Sequence, residues 1–254
     1  MLMPIGYKRK LLKEAEVSIK LQGASEKAKG EMREIIVQNL YSVVKYSWKM
    51  GMPLRIADLP KINVGHDHPI FKYDQVGAAY EDGTIYVRSA NWHNRNILAH
   101  ELFHHHQHMR GIDSIKHHSD SSFLEGGADL FALAYIARGC QRKNRVASIE
   151  SSIGTEINFR ALKPQFMELG EEQRILFLNS LLGGNRPAKI TDEIYKDGAK
   201  LASMSYVLNG YGLKKTLKGF LEPRNGLIAD LARPKPIIHM AVTDFMSLLR
   251  QPNS

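Results

Sequence analysis

His100-Glu101-Leu102-Phe103-His104 is the stretch of this chain whose residue types and spacing could do chemistry. On a helix, two histidines four apart stand one turn above each other on the same face. Their ring nitrogens can then converge on one metal ion, with Glu101 beside them to take up and return a proton. Metal-assisted attack of water on a carbonyl needs those three parts. The adjoining run His104-His105-His106-Gln107-His108 raises the chance of a fortuitous spacing, so the surrounding residues have to decide.

The elements around the pair must hold it in place. Ile97, Leu98, Leu102 and Phe103 supply an apolar stripe that predicts a helix from Asn91 to Arg110, with Gly111 as its stop. Upstream, Ala78-Ala79-Tyr80 and Thr84-Ile85-Tyr86-Val87 flank Glu81-Asp82-Gly83, which predicts a hairpin. A strand beside the helix can hold an extended peptide by added-strand hydrogen bonds, and the 84–88 strand is the one expected to do so.

A metal on two histidines needs a further protein ligand and an open position. The three-histidine pattern HExxHxxGxxH is excluded, because Gln107 and Arg110 stand where its glycine and third histidine belong. His108 shares the face but lies about 6 Å further along the axis. Downstream, Ser121-Ser122-Phe123-Leu124-Glu125-Gly126-Gly127-Ala128-Asp129 offers Glu125 and, one turn on, Asp129. Gly126 and Gly127 leave room for close helix packing. Ser122-x-x-Glu125 is also a capping box, in which Glu125 would merely close a helix start.

The pattern resembles that of the gluzincin metallopeptidases, the thermolysin and aminopeptidase-N clan, in which HExxH is followed by a glutamate and, one turn later, an aspartate or similar residue. The resemblance implies one Zn²⁺ per chain held by His100, His104 and Glu125, with Glu101 as general base. Asp129 would take the other ring proton of a zinc histidine, His100. Tyr195-Lys196-Asp197-Gly198-Ala199 is similar to the Tyr-x-x-Gly segment of the aminopeptidase-N-like branch, which implies Tyr195 as oxyanion donor. Tyr206, Tyr211 and His239 are the alternatives. Tyr195 is also an ordinary residue for a helix start after a Thr191 cap.

The resemblance covers about residues 75–221 and is strongest over 84–132. Aminopeptidase-N-like enzymes also carry Gly-x-Met-Glu-Asn, and the nearest segment here, Gly77-Ala78-Ala79-Tyr80-Glu81, does not match it. An endopeptidase is therefore slightly favoured over an aminopeptidase. Glu125-x-x-Ala128-Asp129-x-Phe131-Ala132 also resembles the third-ligand helix of ImmA/IrrE-like metallopeptidases, which cut a repressor protein.

The expected fold is α+β and zincin-like: a small mixed or antiparallel sheet packed on the HExxH helix, followed by a mainly helical C-terminal lobe. Three segments are expected, an N-terminal helical one (1–51), a catalytic lobe (52–140) and the C-terminal lobe (141–254). Residues 11–50 read as helical, with Met32, Ile36, Leu40, Val43, Val44 and Trp48 as a core stripe. Gly183–Pro187 reads as a hinge, and Ile237–Leu249 as a last amphipathic helix.

The N-terminal apolar run is too short for a signal peptide and no stretch approaches ~18 apolar residues, so no membrane is expected. The single cysteine, Cys140, excludes an internal disulfide and points to the cytoplasm. The charge of +9 is spread over short basic clusters without interleaved aromatics, so a peptide or protein substrate is expected rather than nucleic acid. The oligomeric state is left open. The rival reading is a zinc-stabilised, non-catalytic protein that contacts protein or nucleic acid through its basic faces. Glu101 weighs against it, since a structural site has no use for a general base.

Overall fold

In this computed structural model, residues 3–65, 68–72, 76–112, 118–137, 168–184 and 190–222 are described. Helix α1 (Tyr7–Ser18) runs straight into strand β1 (Ile19–Leu21), and the long helix α2 (Glu26–Lys49) follows. The sequence pattern predicts continuous helix here, and β1 corrects it. Ile19 and Leu21 pair in parallel with Ile62 and Val64, some forty residues away, so nothing local announces the strand.

Ser25 caps α2 by accepting from the Ala28 N–H at 3.3 Å, and Gly51, at φ 82°, lets the chain turn away from its end. Ile36, Leu40, Val43 and Val44 are buried along α2, while Met32 and Trp48 pack at the margin.

Three short strands follow, β2 (Lys61–Val64), β3 (Ala78–Glu81) and β4 (Thr84–Val87). Ile56 lies in a 3-10 turn (Ile56–Asp58) before β2. The sheet order is β1-β2-β4-β3, parallel across the first two contacts and antiparallel between β4 and β3, so the sheet is mixed. Asp82 (φ 43°) and Gly83 (φ 78°) form the two-residue hairpin turn, and both left-handed positions suit Asp-Gly.

This order corrects one expectation. β4 is paired on both sides, so the 84–88 strand has no free edge. The edge beside the histidine helix belongs to β3. Ile19, Ile62, Val64, Ile85 and Val87 turn one face of the sheet into the core, against α1, α2 and the histidine helix.

The remaining helices are α3 (Arg95–His108), α4 (His118–Ala137), α5 (Glu171–Gly184), α6 (Ile190–Leu208) and α7 (Leu213–Gly219). Among the described residues, one hydrophobic cluster runs from Tyr7 to Leu221 and takes in α1 through α7. No helix among them is long and apolar enough to cross a membrane. Cys140, His239, the 237–249 segment and most of the Gly183–Pro187 loop lie outside the described residues.

Helices α4 and α6 touch backbone to backbone. A Cβ on Gly126 would meet the Gly198 carbonyl oxygen at 2.4 Å, and one on Gly198 would meet the Ser122 oxygen at 2.7 Å and the Gly126 nitrogen at 2.9 Å. Backbone cannot swing aside as a side-chain tip does. Gly198→Ala should therefore push the two helices apart and cost about 1–3 kcal/mol, seen as a lower thermal midpoint. Gly30→Ala is the control. It is an exposed position in α2 with no heavy atom within 4 Å of the added Cβ, and should leave stability unchanged or raise it by up to about 1 kcal/mol, with a midpoint no lower than wild type. Equal midpoints for the two variants would contradict this packing.

Candidate metal centre

Helix α3 begins at Arg95, four residues later than the apolar pattern predicts. The Asn94 side chain accepts from the Asn96 N–H at 3.0 Å, and that cap leaves residues 91–94 as a turn. At the other end Gly111 (φ 68°) donates to the His108 carbonyl at 2.8 Å, and Ile112 donates to the Gln107 carbonyl at 3.0 Å. The helix is thus pinned at both ends.

Its faces divide the histidines. His105 and His106 are buried on other faces. His105 Nε2 donates to the Asp58 carbonyl at 2.5 Å, its Nδ1 accepts from the Tyr80 hydroxyl at 3.1 Å, and that oxygen accepts from the Gly83 N–H at 2.9 Å. His106 donates through Nε2 to Ser47 Oγ at 2.7 Å, and the Ser47 hydroxyl donates to the Met52 carbonyl. Burial pushes His106 down to about 3, so it is neutral and structural. Tyr80 sits over His108 as well, with the ring centres 5.6 Å apart.

His100 and His104 take the remaining face and meet Glu125. The two Nε2 atoms are 3.0 Å apart, and Glu125 Oε2 lies 3.1 Å from the first and 3.6 Å from the second. The outer nitrogens settle what the inner ones present. His100 Nδ1 is 3.0 Å from Asp129 Oδ1, and His104 Nδ1 is 2.9 Å from Gln107 Oε1. Both partners accept, so both Nδ1 atoms donate and both Nε2 atoms turn lone pairs inward. Glu125 Oε2 is buried and has no aligned hydrogen bond. Three lone-pair donors facing one point call for a cation, and a point roughly 2 Å from each is the distance of a zinc–nitrogen or zinc–oxygen bond. His100, His104 and Glu125 could therefore hold a metal ion.

The electrostatics agree. Burial alone would lower the His100 pKa, yet the Asp129 and Glu125 carboxylates outweigh it and hold it well above 6.5. His104 is raised in the same way, chiefly by Glu125. Burial alone would raise Glu125, and the two imidazoles instead pull it down. Glu101, 6% exposed, is raised by burial in spite of both histidines.

Helix α4 starts at His118, so Ser122 lies inside it and the capping-box reading of Glu125 fails. Phe103 of α3 stacks on Phe131 of α4 with ring centres 5.4 Å apart, holding the two ligand helices together.

Tyr195 is half-buried on α6, one turn before Gly198, the residue pressed on Gly126 next to Glu125. Tyr206 lies about 16 Å further along α6 than Tyr195, 1% exposed in the core. Tyr211 is on an exposed turn at φ 59°. Gln107 is the site residue that the sequence reading passed over. It stood there only as a missing glycine, although three residues after a ligand histidine is a neighbouring position on the helix.

Comparison of the chain with models of known protein families, with curated proteins and with solved structures found no match. The reading of this site rests on its own geometry.

A metal and a proton compete for the same lone pairs here. The histidine pKa values are raised without metal, so binding Zn²⁺ or Co²⁺ releases protons at pH 7 and weakens as pH falls. Affinity should keep rising above pH 6.5 instead of levelling there. Chelator competition at pH 6, 7 and 8, with calorimetry in two buffers to count protons, measures this. A flat affinity over that range would contradict the charge arrangement.

Proposed function

We propose that this protein is a zinc-dependent peptidase of the endo-acting kind. The observation that carries the proposal is the convergence of His100 Nε2, His104 Nε2 and Glu125 Oε2, with the buried carboxylate of Glu101 on the neighbouring face of the same helix. Two imidazoles and one carboxylate suit zinc, and among the described residues the group has three members, which leaves a coordination position for chemistry. Asp129 and His105, the residues a closed site would draw on, face other partners: Asp129 meets the outer nitrogen of His100, and His105 is held by Tyr80 and Asp58. That weighs against the non-catalytic binding protein.

Zinc held there would supply a Lewis acid for the scissile carbonyl and acidify the attacking water. Glu101 accepts that water's proton and delivers it to the leaving amine. Its raised proton affinity suits both transfers, because a carboxylate nearer neutrality returns a proton more readily. Asp129 and Gln107 hold the two imidazoles in the tautomer that keeps Nε2 free for the metal.

The substrate strand adds to the outer edge of β3 (Ala78–Glu81), which is unpaired among the described residues, replacing the 84–88 strand in that role. Tyr195, carried on the helix pinned beside Glu125, donates to the developing oxyanion. The segment that grips a free amino terminus in aminopeptidase-N-like enzymes has no counterpart in register here, so cleavage falls within the chain.

The test is metal content together with cleavage of a fluorogenic peptide library by wild type, Glu101→Gln and Glu125→Ala. Wild type should hold one zinc and cleave internally in a chelator-sensitive way. Glu101→Gln should keep the zinc and lose cleavage by about 10²–10⁴-fold. Glu125→Ala should lose both. A Glu101→Gln enzyme that cuts at the wild-type rate removes Glu101 from the mechanism, and normal zinc binding without Glu125 removes it from the ligand set.

A further inference from the structure

Gln107 stands on the turn after His104 and is 1% exposed. A buried amide has to satisfy both a donor and an acceptor, and here each finds a partner on a different helix. Its Nε2 donates to the Leu124 carbonyl of α4 at 3.2 Å, and its Oε1 lies 2.9 Å from His104 Nδ1. The Leu124 carbonyl can only accept, so the amide has one orientation, with its oxygen toward the imidazole. That oxygen can only accept, so the hydrogen of neutral His104 is fixed on Nδ1 and the lone pair on Nε2. Leu124 is the chain neighbour of Glu125. One side chain thus sets the tautomer of one ligand and ties it to the backbone that carries another.

We infer that Gln107 is a positioning residue of the metal centre, acting through His104 and through the α3–α4 spacing, an assignment that rests on the zinc-site reading above. The two histidines are held by unlike partners, His100 by the carboxylate of Asp129 and His104 by a neutral amide. The reason lies in the charge around them. Glu101, Glu125 and Asp129 already place three carboxyl groups about the two imidazoles. An amide supplies the acceptor that His104 needs without adding a fourth charge where solvent is excluded.

The experiment compares wild type, Gln107→Met and Gln107→Glu. Both variants lose the amide donor to Leu124, and only Gln107→Glu keeps an acceptor for His104. Zn²⁺ affinity is read by chelator competition. The tautomer of His104 in the metal-free protein is read by long-range ¹H–¹⁵N correlation at alkaline pH, where the ring is neutral, and the thermal midpoint is followed in parallel.

Gln107→Met should bind zinc about 10–100-fold more weakly and shift His104 toward the Nε2–H tautomer. Gln107→Glu should recover the Nδ1–H tautomer and most of the affinity, although its midpoint falls as far as that of Gln107→Met. Zinc binding by Gln107→Met at wild-type strength overturns the inference. So does a Gln107→Glu variant as weak as Gln107→Met, which assigns the loss to the Leu124 bond alone. A wild-type protein that binds no zinc overturns the metal reading itself and this assignment with it.

Discussion

His100 Nε2, His104 Nε2 and Glu125 Oε2 lie 3.0–3.6 Å from one another with their lone pairs turned to one point. Left to themselves, such atoms repel. A positive charge at that point is the constraint on which the rest of the arrangement depends. Protons can supply it, which is why the imidazoles are held above their ordinary range, and a metal ion supplies it more fully. The remainder of the fold reads as the means of keeping the atoms in that posture. Asp129 and Gln107 fix the outer nitrogens, Phe103 and Phe131 lock the two ligand helices, and glycines on α4 and α6 let a third helix press close behind Glu125.

The histidine tract shows how one helix gives like residues unlike chemistry. Successive positions rotate by about 100°, so five histidines within nine residues face different surroundings. His100 and His104 meet carboxylates, which raise their proton affinity in spite of burial. His106 points into the apolar contact with α2, where burial keeps it neutral and it serves as a hydrogen-bond donor to Ser47. His105 bridges the loop before β2 and the hairpin. Side-chain type alone carries none of this. The direction of each residue on the helix does.

That distinction also explains what could be read in the sequence. The histidine pair, its helix and the Asp-Gly hairpin are local patterns, with partners within a few residues. Glu125 was visible as a carboxylate at the right chain distance, but capping and ligation use the same Ser-x-x-Glu spacing, and only the true start of α4 separates them. β1 was not legible, because three residues after a helical stripe carry no period of their own and their partners lie in β2. Strand order was hidden for the same reason, and with it the fact that β4 is interior. Gln107 was missed because its role needs two bonds at once, one to a neighbour on its own helix and one to α4. The burial of His105 and His106 likewise depends on Tyr80, Asp58 and Ser47, none of which is near them in the chain.

The coupling between the sheet edge and the histidine helix follows from the same bonds. From the Gly83 N–H to the Tyr80 hydroxyl, on to His105 Nδ1, and from His105 Nε2 to the Asp58 carbonyl, each donor and acceptor is matched. Tyr80 belongs to β3, an edge strand of the sheet among the described residues, and His105 is one turn from Glu101 on α3. Breaking either bond to His105, 4% exposed, would leave a buried ring nitrogen unpaired at a cost of roughly 1–3 kcal/mol, so edge and helix hold one spacing. In the peptidase reading, the backbone that would align a substrate and the carboxylate that would move its proton are thereby fixed to each other before a substrate arrives. Glu101 is not itself one of the residues in that series of bonds. It inherits its position from the helix, whose register against β3 is set by His105.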